Sequence, residues 1–389
     1  IYVENLQLRP TDNGLRVRSL PDVIRGKELR QIHRADTVET REFHGRMLSK
    51  VGKQGNWLSI KVPGAERGYV AAWFMEAETP RPDQFSGVNI TGVNLDAFHH
   101  LGTPNPNWLG NIGWVRFGYN VSAGTGSEDI QAAYDRYAPL FDAYVRAGYR
   151  VCVTTSHQTY GEAKAEFPLN RMNDGQWQTL IARKADMMSR IAQQWSGKGL
   201  INCWQIWNEP DAVIGAEASI AMPPHIYRLM LAGIIPAMRA TDPQAYIVTA
   251  GFTGSQMGSN YARQAIAGLP TNALPEAIAL HPYGLTARGS NDPFGFFGSI
   301  DSALTDYGSV MPDKKLWITE WGVNRNEDRP PQEIGDYAMA MVNHINAYYR
   351  AQIAALIWYP WAQGMHSAYG IVDNQSQSRP GLTDRFLNA

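Results

Sequence analysis

The sequence predicts an α/β protein, a (β/α)8 TIM barrel with a small all-β barrel at its N-terminal end. Three observations predict it. From about residue 87 to 389, strand-like apolar runs alternate with helical runs, the pattern of βαβ units that build a parallel sheet. Residues 1–79 instead carry short apolar clusters separated by Pro, Gly and Asp, as close-set short strands do. Two of the later runs also end abruptly in a glutamate beside tryptophan, at the strand ends where such barrels place their chemistry. A chain of 389 residues has room for a large barrel and a smaller module.

In chain order, the N-terminal clusters are Gly14–Arg18, Glu28–His33, Asn56–Val62 and Arg67–Ala71. Thr79-Pro80-Arg81-Pro82-Asp83 follows, and its two prolines disfavour any continuing strand or helix. The expected division is therefore 1–79 for the β module, 80–86 for a linker and 87–389 for the barrel. The barrel strands are expected at Gly87–Thr91, Trp114–Tyr119, Arg150–Thr155, Ile201–Trp207, Tyr246–Ala250, Ala277–Leu280, Lys315–Thr319 and Ala354–Trp358. Helical patterns lie between them at Asp129–Ala147, Gln176–Trp195, His225–Arg239 and Gln332–Arg350. In the first, Ile130, Ala133, Tyr134, Tyr137, Leu140, Phe141 and Tyr144 recur at nearly helical spacing.

Composition narrows the partners. Lys+Arg 35 against Asp+Glu 36 gives no electrostatic basis for binding nucleic acid or an anionic membrane. No apolar run approaches the ~20 residues of a membrane span. No phosphate-cradling loop or dinucleotide fingerprint is present. The adjacent His99-His100 pair has no third ligand at metal-binding spacing, so no metal is expected. Asn89-Ile90-Thr91 is a glycosylation sequon, but it falls in an expected barrel strand where a glycan does not fit. Cys152 and Cys203 both lie in strand-like runs and read as small buried hydrophobes, with a disulfide as the alternative that spacing does not decide. The opening Ile1 fits a mature chain whose signal peptide has been removed. The notable excess is aromatic, Trp 12, Tyr 18 and Phe 12. Many of these rings crowd strand ends, where they can stack on sugars.

The chemistry points the same way. Asn202-Cys203-Trp204-Gln205-Ile206-Trp207-Asn208-Glu209-Pro210 delivers Glu209 at the tip of the fourth strand, and Leu316-Trp317-Ile318-Thr319-Glu320-Trp321-Gly322 delivers Glu320 at the seventh. Glycoside hydrolysis uses such a pair, one carboxyl protonating the leaving oxygen while the other attacks or activates water. The carboxyls stand ~5–5.5 Å apart in retaining enzymes and ~6.5–9.5 Å apart in inverting ones. This chemistry needs no metal or organic cofactor, and the expected partner is an oligo- or polysaccharide.

On these motifs residues 85–389 resemble the retaining β-glycosidase clan of (β/α)8 barrels, which includes cellulases, mannanases and β-xylosidases. The resemblance implies that Glu209 is the acid/base and Glu320 the nucleophile, with Asn208 on the sugar 2-hydroxyl. It also implies that Arg116, at the second strand, lies near the nucleophile, where a structural ion pair is the alternative. Tyr283, in Leu280-His281-Pro282-Tyr283-Gly284, is implied to hydrogen-bond the nucleophile; His281 beside it is a further candidate. The clan also places a tryptophan under the cleaved sugar at the eighth strand, so Trp358 or Trp361 is expected there, with Trp358 preferred because it sits nearest the strand end. Trp321 is expected to line the cleft. His157, after the third strand, either contacts a sugar hydroxyl or plays a capping or loop role.

Residues 1–79 are similar to bacterial Src-homology-3-like domains, on Leu15-Arg16-Val17-Arg18-Ser19, Trp57-Leu58-Ser59-Ile60-Lys61-Val62 and Gly68-Tyr69-Val70. That likeness implies either a cell-wall or peptide ligand or a rigid accessory domain, and with it secretion. The competing reading of the whole chain is a non-catalytic carbohydrate-binding barrel, since a fold does not guarantee activity. Sugar and linkage are expected to depend on the loops 161–173, 210–224 and 288–297.

Overall fold

The computed structural model describes residues 7–33, 36, 38–39, 50–62, 65–78, 85, 87–121, 129–160, 172–212, 220–284, 300–323, 329–365 and 370–389. The short apolar clusters at the N-terminal end become short strands: β1 (Gln7–Pro10), β2 (Leu15–Arg18), β3 (Glu28–Ile32), β4 (Val38–Glu39), β5 (Trp57–Val62), β6 (Ala65–Ala71) and β7 (Met75–Glu78). They pair antiparallel in two small sheets, ordered β4-β1-β7 and β3-β2-β6-β5. Leu8, Val17, Ile32, Leu58, Ile60, Val70 and Met75 fill the core of this small β unit. The chain divides into two compact units, Ile1–Gly87 and Val88–Ala389. The expected linker residues Thr79–Asp83 lie outside the described residues.

In the second unit eight parallel strands close into a barrel: β8 (Thr91–Leu95), β9 (Trp114–Gly118), β10 (Arg150–Thr155), β11 (Cys203–Ile206), β12 (Ile247–Thr253), β13 (Ala277–His281), β14 (Lys315–Trp321) and β15 (Ile353–Trp358), with β15 paired back onto β8. Their near-continuous burial is what a sheet covered by helices requires. The described helices are α1 (Ile130–Arg146), α2 (Asp174–Trp195), α3 (Pro224–Thr241), α4 (Gln256–Ile266), α5 (Ile300–Gly308), α6 (Pro331–Tyr348) and α7 (Thr383–Leu387). In α1 the residues at helical spacing, Ala133, Tyr137, Phe141 and Tyr144, are the buried ones, and Asp129 caps the start by accepting from the Ala132 N–H at 2.9 Å. Asn173 and Gln176 form a reciprocal capping box at the start of α2.

Side chains alternate between two environments along each strand. Outward ones, such as Leu316, Ile318, Leu356 and Trp358, join the apolar layer under the helices. Inward ones meet across the lumen: the rings of Trp114 on β9 and Trp317 on β14 are 4.7 Å apart although those strands are not neighbours. A second inward group is polar and comprises Asn94, Arg116, Gln205, His281 and Thr319. Cys152 and Cys203 are buried free thiols, directly opposite one another on β10 and β11.

The first barrel strand begins four residues later than expected, at Thr91 instead of Gly87. The Asn89 side chain explains the delay. It donates to the carbonyls of Asn111 and Ala389 and accepts from the Thr91 N–H, so side-chain bonds hold the start of this segment and the backbone joins the sheet only from the Ile90 carbonyl, which accepts from the Leu356 N–H at 2.7 Å. Strand β14 runs two residues beyond the expected Thr319, so Glu320 is part of the strand.

Candidate active site

The fourth strand ends because its backbone turns left-handed. Trp207 has φ 76° and Glu209 φ 40°, values that non-glycine residues seldom adopt and that surrounding contacts must enforce. Those contacts are present. The Gln205 amide donates to the Trp207 carbonyl at 3.2 Å, and the Trp207 indole donates to the Ile220 carbonyl at 3.0 Å. The Lys184 ammonium lies 4.9 Å over the Trp207 ring. The Glu209 N–H donates to the Gly251 carbonyl at 3.1 Å. This elbow brings Asn208 and Glu209 into the mouth of the barrel, where Asn208 Oδ1 accepts from the Arg116 guanidinium at 3.1 Å.

The seventh strand delivers its carboxylate differently. Pairing of β14 with β15 shifts register between Ile318 and Trp321, which lets consecutive Thr319 and Glu320 both reach the polar interior. Arg116 Nη1 donates to Glu320 Oε1 at 2.7 Å, and the Tyr283 hydroxyl donates to Oε2 at 2.8 Å. Arg116 is itself fixed by Asn94 Oδ1 at 2.5 Å and Gln205 Oε1 at 3.0 Å. Burial is the largest single influence on Glu320 and pushes its carboxyl up. His281, Arg116 and the Tyr283 hydroxyl together outweigh it and hold the group below the ordinary value of 4.5. Burial raises Tyr283 well above a free phenol, and the Glu320 charge adds to this, so the hydroxyl keeps its proton to donate.

His281 stands between the two acids. Its Nδ1 is 2.8 Å from Glu209 Oε1 and 3.6 Å from Glu320 Oε2, while Nε2 is 3.0 Å from the Thr319 hydroxyl. One oxygen from each carboxylate and a ring nitrogen of His281 all lie within 4.8 Å of one another. That donor set has the spacing of a cation site. Both Glu320 oxygens are already engaged, however, one by a guanidinium that would oppose a metal ion.

Of the expected residues, Glu209, Glu320, Asn208, Arg116, His281 and Tyr283 thus form one cluster. His157 is buried in a short 3-10 helix, His157–Tyr160, directly after β10. The tryptophans correct the expectation. Trp321 and Trp358 are completely buried and point outward into the layer beneath the helices; their rings are 4.8 Å apart and lie 5.9 and 5.4 Å from Phe386. Trp361 belongs to the same apolar layer. None of the three forms a sugar-facing floor: strand parity sends Trp321 and Trp358 to the helix side, and Trp361, beyond the end of β15, is buried among apolar residues. Tyr359, next after Trp358, faces the acids instead. It is half-buried and its ring meets that of Tyr283 edge-on at 6.4 Å. Burial, and then the Glu320 charge, push its hydroxyl well above the ordinary phenol value. Alternation about Trp358 was the signal that pointed to it. Asn94, Gln205 and Thr319 were also missed, and each stands out as a polar residue within an apolar strand run. Most of the loops 161–173, 210–224 and 288–297 lies outside the described residues.

A family model, Cellulase (glycosyl hydrolase family 5), matches residues 111–364. Among solved structures, a family 39 glycoside hydrolase from the gut symbiont Bacteroides cellulosilyticus WH2 aligns with TM-score 0.53 and 14% identity, covering 99% of this chain and 77% of that one. An exo-β-1,4-mannosidase from Opitutaceae bacterium strain TAV5 aligns with TM-score 0.54 and 16% identity, over 77% of this chain and 59% of that one. A Bacteroides ovatus family 5 xyloglucanase in complex with a heptasaccharide gives TM-score 0.54 and 14% identity, over 86% of each chain. At such identities these likenesses show a shared fold. No curated protein matches the sequence.

Proposed function

Because the chain belongs to glycosyl hydrolase family 5, the cellulase family, and is a glycoside hydrolase, we propose that it cleaves β-linked glycans with retention, by double displacement through two glutamates. The observation that carries this reading is the approach of the Glu209 and Glu320 oxygens to within 4.8 Å. It falls at the short end of the two separations, near the ~5–5.5 Å of retaining enzymes and below the ~6.5–9.5 Å that leaves room for a water between a base carboxylate and the anomeric carbon.

In the first half-reaction Glu320 attacks the anomeric carbon and forms the glycosyl ester, while Glu209 gives its proton to the departing glycosidic oxygen. In the second, Glu209 takes a proton from water, the water oxygen bonds to the anomeric carbon and the ester to Glu320 breaks. Arg116 and Tyr283 keep Glu320 ionised and aimed. Asn208, already oriented by Arg116, is suited to the sugar 2-hydroxyl, a bond that strengthens in the oxocarbenium-like transition state. Tyr359 supplies the aromatic face at the cleavage point. A polymeric glycan substrate fits an extracellular enzyme, with the N-terminal β unit as an accessory or wall-binding module.

The test is hydrolysis of carboxymethyl-cellulose, glucomannan, xylan and galactan by wild type, Glu209→Gln and Glu320→Gln, with products analysed by mass. Wild type cleaves at least one of them. Each variant folds and loses at least ~100-fold in turnover, as removal of acid–base or nucleophilic chemistry requires. Near wild-type turnover in either variant overturns the assignment, and binding without cleavage by wild type would make the barrel a carbohydrate-binding one.

A further inference from the structure

We propose that Asp211 is the positioning residue for the acid/base, clamping the left-handed elbow that carries Glu209 to the end of β12. The inference rests on the reading of Glu209 as acid/base and asks what keeps its carboxyl in place.

Left-handed φ at both Trp207 and Glu209 is unfavourable for residues with side chains, and such backbone persists only where surrounding contacts over-determine it. Upstream, Gln205, Ile220 and Lys184 hold Trp207. Downstream, the strongest described tie is the Asp211 carboxylate. It accepts from the Thr253 hydroxyl at 2.6 Å and from the Thr253 N–H at 3.0 Å. Thr253 is anchored in turn, because its carbonyl accepts from the Tyr307 hydroxyl at 2.5 Å and its hydroxyl lies 3.1 Å from that of Ser255. The next residue, Gly254, donates its N–H to the His281 carbonyl at 3.2 Å.

The contacts therefore close a ring. Glu209 touches the His281 imidazole, the His281 backbone holds Gly254, and Thr253 holds Asp211, two residues beyond Glu209. A shift of the elbow would have to break this ring. The site has no slack either: a Cβ placed on Gly258 would lie 2.2 Å from the Thr253 carbonyl oxygen and 2.8 Å from Asp211 Oδ2. The Asp211 carboxylate takes its hydrogen bonds from Thr253, so its effect on the reaction is transmitted through the elbow. Burial pushes its carboxyl up to about 6, with the Thr253 hydrogen bonds opposing. The chain thus retains a carboxylate where a neutral side chain would be easier to bury.

The test uses leaving-group dependence, which a merely structural role leaves unchanged. Residues 1–389 as wild type, Asp211→Ala, Asp211→Asn and Glu209→Ala are assayed on the polysaccharide that wild type cleaves. They are then assayed on the 4-nitrophenyl and 2,4-dinitrophenyl glycosides of the shortest sugar it releases. The kcat/KM value reports the first displacement, in which a dinitrophenolate departs with little need of a proton. Asp211→Ala is expected to lose roughly 10- to 100-fold in kcat/KM on the polysaccharide, the scale of a small misplacement of a reacting group, with KM little changed. On the dinitrophenyl glycoside its loss is several-fold smaller. Asp211→Asn, which keeps one acceptor oxygen, recovers part of the activity, and it serves as the test variant if the alanine form does not fold. Equal losses on activated and unactivated substrates, or no loss, overturn the clamp. A Glu209→Ala variant without leaving-group dependence overturns the acid/base assignment, whatever Asp211 does.

Discussion

The two strand ends that carry the acids are built in opposite ways. At β14 the backbone stays in the strand, and the work falls on side chains: Glu320 is buried and receives Arg116, Tyr283 and the approach of His281. After β11 the backbone itself is bent into the left-handed region, and Glu209 is delivered half-buried, in contact with His281. A carboxylate that must remain charged is secured by donors and a cation. One that must pass a proton in both directions has to stay reachable, and it is secured by the geometry of the chain beneath it. The difference follows from burial and polarity, which is how two identical side chains a few ångströms apart come to be proposed for different tasks.

The contrast can be broken at either end. The largest effect on stability is expected at the β14 end, where Arg116→Ala leaves the buried Glu320 without its cation and should cost ~3–5 kcal/mol in denaturant unfolding at pH 7. Because the Glu320 carboxyl is held below its ordinary value, its contribution is present above that value and is lost as pH falls through the lower folded one. The gap between wild type and variant should therefore narrow below about pH 4; a gap that widened in acid would contradict this account. Next comes Tyr283→Phe, which removes one hydroxyl donor to a charged acceptor, an interaction of ~1.5–3 kcal/mol, so roughly 10- to 100-fold in kcat/KM with the fold intact. Unaltered kinetics would show that Glu320 does not depend on it. The smallest effect is at the elbow. Asp211 is raised from 3.8 to about 6, so the folded state binds its proton more tightly, and this group's contribution to stability falls as pH rises between those values. Asparagine does not titrate. The Tm of Asp211→Asn relative to wild type should accordingly be more favourable at pH 8 than at pH 5, and the reverse trend would sharpen the comparison against us.

Much of this was legible in the sequence, for identifiable reasons. Parallel strands covered by helices read as apolar runs, so the eight strands and the two glutamates at their ends stood out. Polar interior residues such as Gln205 and Asn94 left a trace as lone polar side chains in those runs, but what they bond to depends on strands far away in sequence. Nearness to the strand end favours Trp358 as the strand-eight aromatic, but parity decides the face: Trp358 shares the helix side with Trp321 and Phe386, and Tyr359 meets Tyr283 beside the acids. The first strand starts at Thr91, four residues after the expected Gly87, because the hydrogen bonds of Asn89 depend on partners far away in sequence. Left-handed φ at Trp207 and Glu209 has no sequence signature, since neither is a glycine, and the partnership of Asp211 with Thr253 joins residues 42 positions apart.

The central claim is that Glu320 bonds to the sugar while Glu209 moves the proton. Proton NMR of the anomer first released from a β-linked substrate tests it most directly. Initial appearance of the β-anomer, followed by slow mutarotation, is the result expected of two successive displacements. Initial appearance of the α-anomer would mean a single displacement by water, and the double-displacement mechanism would fall.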